Sequence, residues 1–328
     1  MRALVFDRFG PPDEVLRLAD VSAPEPGPGE VRIRLSHRPI NPADVLTVVG
    51  VYPVRPSLPG SPGLEGVGRV DAVGDGVRGP AIGARVIPLA GLPGTWAEQM
   101  VLRADQVLQI PDGVSDQSAA QLLVNPFTVY ALLTDELQLA RGDWLLQTAA
   151  GSTLGRMVIQ LARRRGIRTI NVVRRRAQAE ELLSLGADAV VATDDEPLVE
   201  RVMAITEGQG ARGAIDAVGG ALGADVARSL GRGGVMIAFG LLSGETTMPV
   251  DVADLLFKGS AVRGFWLPLW FAAKPPDAMA HATAEVVTLV AEGVLTPQVA
   301  AEYDLADFRE ALAHANRAGR SGKVLLVG

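Results

Sequence analysis

The chain has 328 residues, 31 basic and 37 acidic side chains for a formal charge of −6, and no cysteine. Without cysteine there is no disulfide framework, thiolate nucleophile, iron–sulfur cluster or cysteine-bearing zinc site, and three histidines, His37, His281 and His314, supply a nitrogen zinc site poorly. A hydrophobic fraction of 48% against 21% charged residues excludes a disordered chain, the negative charge argues against a nucleic-acid binder, and the length favours two domains.

At the N-terminus the apolar run is broken by Asp7 after four residues, too short for a signal-peptide core, and no stretch approaches the ~20 apolar residues of a membrane helix. A soluble, cytoplasmic protein with no membrane partner is expected. Val31, Ile33 and Leu35 alternate with Arg32, Arg34 and Ser36, the period-2 signature of a half-exposed strand. Similar short strands are predicted near Gly68–Val73 and Arg85–Leu89, separated by Pro and Gly clusters, so this first part reads as a β-rich barrel or sandwich.

After about residue 124 the rhythm changes. Predicted strands at Asp143–Thr148, Thr169–Val173, Ala189–Ala192, Gly213–Ala217 and Gly234–Phe239 alternate with helices at Leu154–Arg165, Gln178–Leu185, Pro197–Glu207 and Ala221–Leu230. That is the pattern of a doubly wound parallel α/β sheet. In the first helix, Leu154, Met157, Val158, Leu161 and Ala162 form one apolar stripe. The last segment, from Ala261, holds an aromatic strand, a helix over Asp277–Glu292 and a closing strand Lys323–Val327, and is expected to return to the first domain. The expected division is therefore 1–124 with 265–328, and 125–264 between them.

The first strand-to-helix turn carries the most specific local signal, Gln147 through Gly155. Small residues there let backbone approach a pyrophosphate, while the amides of Gly151, Ser152, Thr153 and Leu154 open a helix N-terminus toward the anion. Only Gly155 fits a glycine of the Gly-x-Gly-x-x-Gly pattern, so the loop alone reads equally well as a capped helix start. The second strand ends in Arg174, Arg175 and Arg176, beginning 19 residues beyond Gly155, where an acidic residue would hold the ribose of NAD and Arg accommodates a 2′-phosphate. The triplet predicts NADPH; the alternative is a solvated basic surface. From Trp144 to Ala179 there are eight Arg and no acid, a local excess expected to face cofactor phosphates.

Loop, strand and Arg cluster together with Ile40–Asp44, Gly50-Val51-Tyr52-Pro53, Gly63-Leu64-Glu65-Gly66 and Ser321-Gly322-Lys323 resemble the zinc-independent medium-chain dehydrogenase/reductases over essentially the whole chain. Val124–Tyr130, Thr169–Arg176 and Arg263–Leu267 followed by Trp270 look most like the NADPH-dependent 2-enoyl thioester reductases within them. The resemblance implies a Rossmann domain inserted in a β-rich GroES-like catalytic domain. Zinc-dependent relatives carry a His where Leu64 stands, and cysteines this chain lacks, so no metal is expected.

By resemblance, Tyr52 is the candidate proton donor or carbonyl-polarising group, and a reference pKa of ~10 keeps its hydroxyl protonated. The same stretch occurs in quinone reductases, and a ring packing on neighbouring loops is the structural alternative. Also by resemblance, Asn41, Asn125, Thr128 and Lys323 are cofactor contacts, Phe239, Gly240, Leu241 and Leu242 close over the nicotinamide, and Phe265, Trp266 and Leu267 follow them. Asn125 could equally be a turn residue before Pro126. The nine apolar residues Phe265–Ala273 are expected to line an acyl pocket, a dimer interface or both, with ordinary core the alternative, more credible for Phe265 and Trp266 than for Trp270 and Phe271. In this superfamily the strand near Ala261–Gly264 pairs with its copy, which implies a homodimer. The leading expectation is NADPH-dependent reduction of enoyl-CoA or enoyl-acyl-carrier-protein; the second is an NADPH:quinone oxidoreductase. A non-catalytic NADPH-binding protein is disfavoured by the presence of both Tyr52 and Asn125. The histidines are read as structural.

Overall fold

The computed structural model describes residues 1–89, 94–317 and 319–328. Two compact units result, one of residues 1–125 and 296–328, the other of residues 126–295. Among the described residues no helix is long and apolar enough to cross a membrane.

The first unit opens with the antiparallel pair β1 (Arg2–Val5) and β2 (Arg17–Asp20), followed by β3 (Glu30–Pro39), β4 (Val67–Val73), β5 (Arg85–Pro88), β6 (Gln99–Arg103) and β7 (Val107–Gln109). Alternation along β3 works as its sequence predicts: Val31, Ile33 and Leu35 are buried on one face with Val70, Val86 and Met100, while Arg32 and Arg34 point outward to Asp71. Arg38 breaks the pattern. Its guanidinium is fully buried and donates to the carbonyls of Ala97, Leu326, Leu35 and Gly328, at 3.1, 3.5, 2.9 and 2.7 Å. Burial lowers its pKa to about 10, so it remains a cation at neutral pH and fastens β3 to the end of the chain.

The second unit is a six-stranded parallel sheet of β8 (Trp144–Gln147), β9 (Arg168–Val173), β10 (Ala189–Ala192), β11 (Ala211–Asp216), β12 (Leu230–Ala238) and β13 (Ala261–Gly264), in the order β10-β9-β8-β11-β12-β13. Helices Thr153–Arg165, Ala179–Leu185, Leu198–Ile205 and Gly220–Arg228 connect successive strands. The chain runs outward from β8 through β10 and returns to the other side of β8 at β11, so the strand order reverses beside β8. Such a switch point leaves a crevice at the carboxyl ends of the strands.

The chain then completes the first unit's sheet with β14 (Val299–Asp304) and β15 (Lys323–Val327), in the order β14-β15-β3-β4-β5-β7, with β6 also paired to β3.

The first unit resumes at residue 296. Between β13 and that point, Pro268 stands in the first turn of a helix, Leu267–Ala273, where its missing N–H costs nothing. That helix buries Trp270 to 8% exposure against Phe127, Tyr130 and Phe271, with ring centroids 5.3–6.4 Å apart. The indole N–H donates to Asp135 at 2.8 Å, and Lys274 meets the same carboxylate at 2.9 Å. Trp270 is therefore core and Leu269, 63% exposed, is the outward residue, because a helical period and not a strand period sorts this run.

Candidate active site

In the second unit the residues expected around a dinucleotide gather at the carboxyl ends of the strands. After β8 the loop Thr148–Ser152 turns into the helix Thr153–Arg165. Ala149 adopts φ +51°, a left-handed conformation that costs a non-glycine residue about 1 kcal/mol or more. Ser152 caps the helix by accepting from Gly155 N at 3.1 Å. The capped helix start is thus present. Among the described residues no acceptor is offered to the N–H groups of Thr153 and Leu154. Gly155 is required by close packing: a Cβ there would lie 2.6 Å from the Ala150 carbonyl oxygen and 2.8 Å from that of Ala149.

The loop is braced from behind by residues that sequence reasoning missed. Gln147 donates to the Gly155 carbonyl at 2.9 Å and to Asn171 at 2.6 Å. Arg156, 3% exposed, donates from Nε to the Gly151 carbonyl at 3.1 Å and is ion-paired with Glu181. This engages the Gly151 carbonyl, as Ser152 N engages that of Ala149 at 2.9 Å. Thr148 donates to Asp216 at 2.5 Å, and Asp216 in turn accepts from Val218 and Gly219, tying the ends of β8 and β11 together. Asn171, Glu181 and Asp216 lie 24, 25 and 68 positions from their partners Gln147, Arg156 and Thr148, so no local motif announces them.

The Arg segment divides by direction. Arg174, Arg175 and Arg176 stand exposed after β9, but Arg176 is committed to Asp195 at 3.2 Å and Glu196 at 2.9 Å. Arg174 and Arg175 make no side-chain hydrogen bond or ion pair among the described residues. Arg163, Arg164 and Arg165 sit at the far end of the 13-residue helix, about 20 Å along its axis from the loop. There they complement the helix C-terminus rather than face a phosphate.

Phe239, Gly240, Leu241 and Leu242 follow β12. Phe239 N bonds Asp216 O at 2.9 Å, Leu242 N bonds Ala217 O at 3.0 Å, and a Cβ on Gly240 would strike that same oxygen at 2.6 Å. Leu241 and Leu242 are 61% and 58% exposed. Phe265, Trp266 and Leu267, after β13, are half-buried, with Phe265 N on Ala238 O at 2.8 Å. Thr128 is buried in the helix Asn125–Ala131.

The first unit carries the remaining candidates. Tyr52 is half-buried in the turn that follows the helix Pro42–Val49. Gly50 ends that helix at φ +87°, and the N–H groups of Val51 and Tyr52 both return to Leu46 O, at 3.1 and 3.2 Å. Asn125 is 7% exposed, and its side-chain amide makes no hydrogen bond among the described residues. Asn41 and Lys323, also expected as cofactor contacts, bond each other. The Asn41 amide donates to Glu65 at 2.9 Å, its oxygen accepts from the Lys323 ammonium, and the two residues are 2% and 5% exposed.

His37 comes within 3.0 Å of Ser36 Oγ and 4.0 Å of Asp116, yet the same ring nitrogen, Nδ1, faces both. The opposite nitrogen, Nε2, lies 3.8 Å from Glu302, beyond hydrogen-bond distance, so no acid is bonded to the ring as a relay requires. His314 bonds Tyr303 at 3.0 Å, and His281 is an exposed neighbour of Glu285.

A doubly wound sheet with an amide-lined turn at its switch point, joined to a unit bearing a lone loop tyrosine, defines a nicotinamide-type oxidoreductase. Residues 27–112 match the model of the alcohol dehydrogenase GroES-like domain and residues 153–284 that of the zinc-binding dehydrogenase domain. The chain is 36% identical over 333 residues to the mitochondrial enoyl-acyl-carrier-protein reductase of Homo sapiens, covering 100% of this chain and 88% of the relative. It is 38% identical over 275 residues to the protein of that name from Arabidopsis thaliana, covering 82% and 72%. The structure of Escherichia coli quinone oxidoreductase complexed with NADPH matches all of both chains with a TM-score of 0.89 at 29% identity. The chain belongs to the medium-chain dehydrogenase/reductase superfamily, among its zinc-independent oxidoreductases.

Proposed function

We propose that the protein reduces the C2–C3 double bond of 2-enoyl thioesters with NADPH. The observation that carries the thioester reading is the match across the whole chain to relatives named enoyl-acyl-carrier-protein reductases. The second unit fits the cofactor. Gly155 leaves room where a side chain would fill the turn, the N–H groups of Thr153 and Leu154 lack acceptors among the described residues, and Arg174 and Arg175 stand without acidic partners beyond β9. Ser152, Thr153 and Leu154 would meet the pyrophosphate, and Arg174 with Arg175 the 2′-phosphate. NADPH, when bound, supplies the hydride for Cβ. Tyr52 would either donate a hydrogen bond to the thioester carbonyl oxygen, where negative charge grows as Cβ is attacked, or pass its hydroxyl proton to Cα. Asn125, with its amide uncommitted, orients the nicotinamide.

A second reading, an NADPH:quinone oxidoreductase, is supported by the likeness to the Escherichia coli structure. The experiment that separates them follows NADPH consumption with crotonyl-CoA, longer enoyl-CoAs, crotonyl-acyl-carrier-protein and 1,4-quinones. Turnover of crotonyl thioesters is expected; turnover of quinones with none of the thioesters overturns the reading. The carrier-protein arm decides between that carrier and CoA.

The cofactor preference has its own test. Removing two charge-assisted phosphate contacts, each worth about 1.5–3 kcal/mol, should cut the NADPH over NADH ratio of kcat/KM by at least about tenfold in Arg174→Ala/Arg175→Ala. Arg176→Ala, already tied to Asp195 and Glu196, should move the ratio far less. An unchanged ratio in the double variant would place the 2′-phosphate elsewhere.

A homodimer joined through β13 belongs to the same reading. β13 is the edge of its sheet, and the neighbouring helix Val252–Lys258 presents Val252, Leu256 and Phe257 at 65–76% exposure. Such an edge needs cover.

A further inference from the structure

A buried cation stands directly behind the turn that follows β8. Arg156, in the first turn of the helix Thr153–Arg165, is 3% exposed. Its Nε donates to the Gly151 carbonyl at 3.1 Å, and its Nη1 meets Glu181, whose side chain is 50% exposed in the first turn of the helix Ala179–Leu185. The remaining nitrogen, Nη2, is buried with no hydrogen-bond partner among the described residues. A buried cation with an unanswered donor is a poor source of stability, because an apolar side chain of the same length avoids both costs.

What Arg156 grips is more informative. Gly151 has no side chain to narrow its conformations, and Ala149 two residues earlier holds a left-handed φ of +51°. A turn of this make-up depends on partners for its shape. The peptide unit joining Gly151 to Ser152 is held at both ends, its carbonyl by Arg156 Nε at 3.1 Å and its N–H by the Ala149 carbonyl at 2.9 Å. The next two N–H groups along the chain are those of Thr153 and Leu154, which have no acceptor among the described residues. On its other side Gly151 is covered by Gln178, whose Nε2 lies 2.6 Å from where a Cβ would stand. The start of the helix Ala179–Leu185 therefore bears on the turn twice, through Gln178 and, by way of Glu181, through Arg156.

We propose that Arg156 is a positioning residue for cofactor binding. Its Nε–H bond to Gly151, with Glu181 holding the guanidinium in place, keeps the turn in the shape that presents the Thr153 and Leu154 amides to the pyrophosphate. The proposal rests on the reading above that this turn takes a nicotinamide dinucleotide.

The test titrates the whole chain with NADPH and with NADH and records a thermal melt on each preparation. Arg156→Met puts a methyl group where Nε stands, whereas Arg156→Gln returns an N–H donor at the same number of bonds from the backbone. Arg156→Met should raise both Kd values at least about tenfold, the scale of one charge-assisted hydrogen bond. The factor should be the same for the two nicotinamides, which share the pyrophosphate, and the melting temperature should stay at or above that of the wild type. Arg156→Gln should bring both Kd values back to within about threefold of the wild type. Glu181→Ala, which lets the guanidinium swing out to solvent, should raise both by about threefold or more and decides the matter if Arg156→Met does not fold. Unchanged Kd values in Arg156→Met, or in Glu181→Ala where the former does not fold, overturn this proposal alone. Equal losses in the Met and Gln variants also overturn it and assign the effect to the charge rather than to the bond with Gly151. A wild-type protein that binds neither nicotinamide overturns the cofactor reading and this proposal with it.

Discussion

Tyr52→Phe is expected to lower kcat about a hundredfold or more, the scale on which a positioned proton donor contributes. The substitution deletes one hydroxyl and keeps the ring, so the half-buried packing around it persists. The backbone that presents it is also untouched: Gly50 still turns at φ +87°, where a side chain would strike Phe9 at 2.8 Å, and the Val51 and Tyr52 amides still hold Leu46 O. Loss of activity would therefore report chemistry rather than collapse. Steady-state rates, NADPH binding and a thermal melt on the same preparation check this. The expected pattern is a large fall in kcat with the Kd for NADPH and the melting temperature nearly unchanged. A fall of less than threefold would remove Tyr52 from the chemistry.

Gly155→Ala is expected to be the most damaging single methyl group in the turn between β8 and the helix that follows it. The added Cβ meets the Ala150 carbonyl oxygen at 2.6 Å, Ala150 Cα at 2.7 Å and the Ala149 carbonyl oxygen at 2.8 Å. All three are backbone atoms of a loop that already spends conformational energy at Ala149, so relief requires the loop to shift. Overpacking of this kind costs about 1–3 kcal/mol, and the displaced amides should weaken NADPH binding at least about tenfold. Gly151→Ala provides the contrast. Its Cβ would meet the side-chain amide of Gln178 at 2.6 Å, a flexible group that can swing away. The expected order of urea midpoints is wild type, then Gly151→Ala, then Gly155→Ala. A Gly155→Ala protein with the wild-type midpoint would show that the loop has more room than the geometry allows.

Gly155 stands out by sequence because close helix–strand packing asks for glycine at one fixed offset from the strand, a requirement confined to a few consecutive residues. The alternation in β3 and the βα rhythm after residue 124 are local in the same sense, which is why those elements fall where periodicity puts them. Trp270 was misjudged because a run of nine apolar residues has no contrast from which to read a period, and Pro268 fits a helix start as well as a loop. Arg163 to Arg165 were grouped with Arg174 and Arg175 by nearness in sequence, although a helix of 13 residues separates them in space.

By itself the sequence determined the chemistry available to this protein: no thiolate, a leucine at position 64 where a zinc-binding relative has histidine, one loop tyrosine, and a small-residue strand-to-helix turn followed by arginines. It also determined the α/β class, because strand and helix periods and turn glycines are properties of short segments. Only the tertiary structure decided which polar atoms are already engaged. Arg176 is held by Asp195 and Glu196 while Arg174 and Arg175 are not, and Lys323 meets Asn41 across 282 positions of chain. The physical reason is that a hydrogen bond or ion pair depends on a separation of about 3 Å in space, to which distance along the chain is no guide.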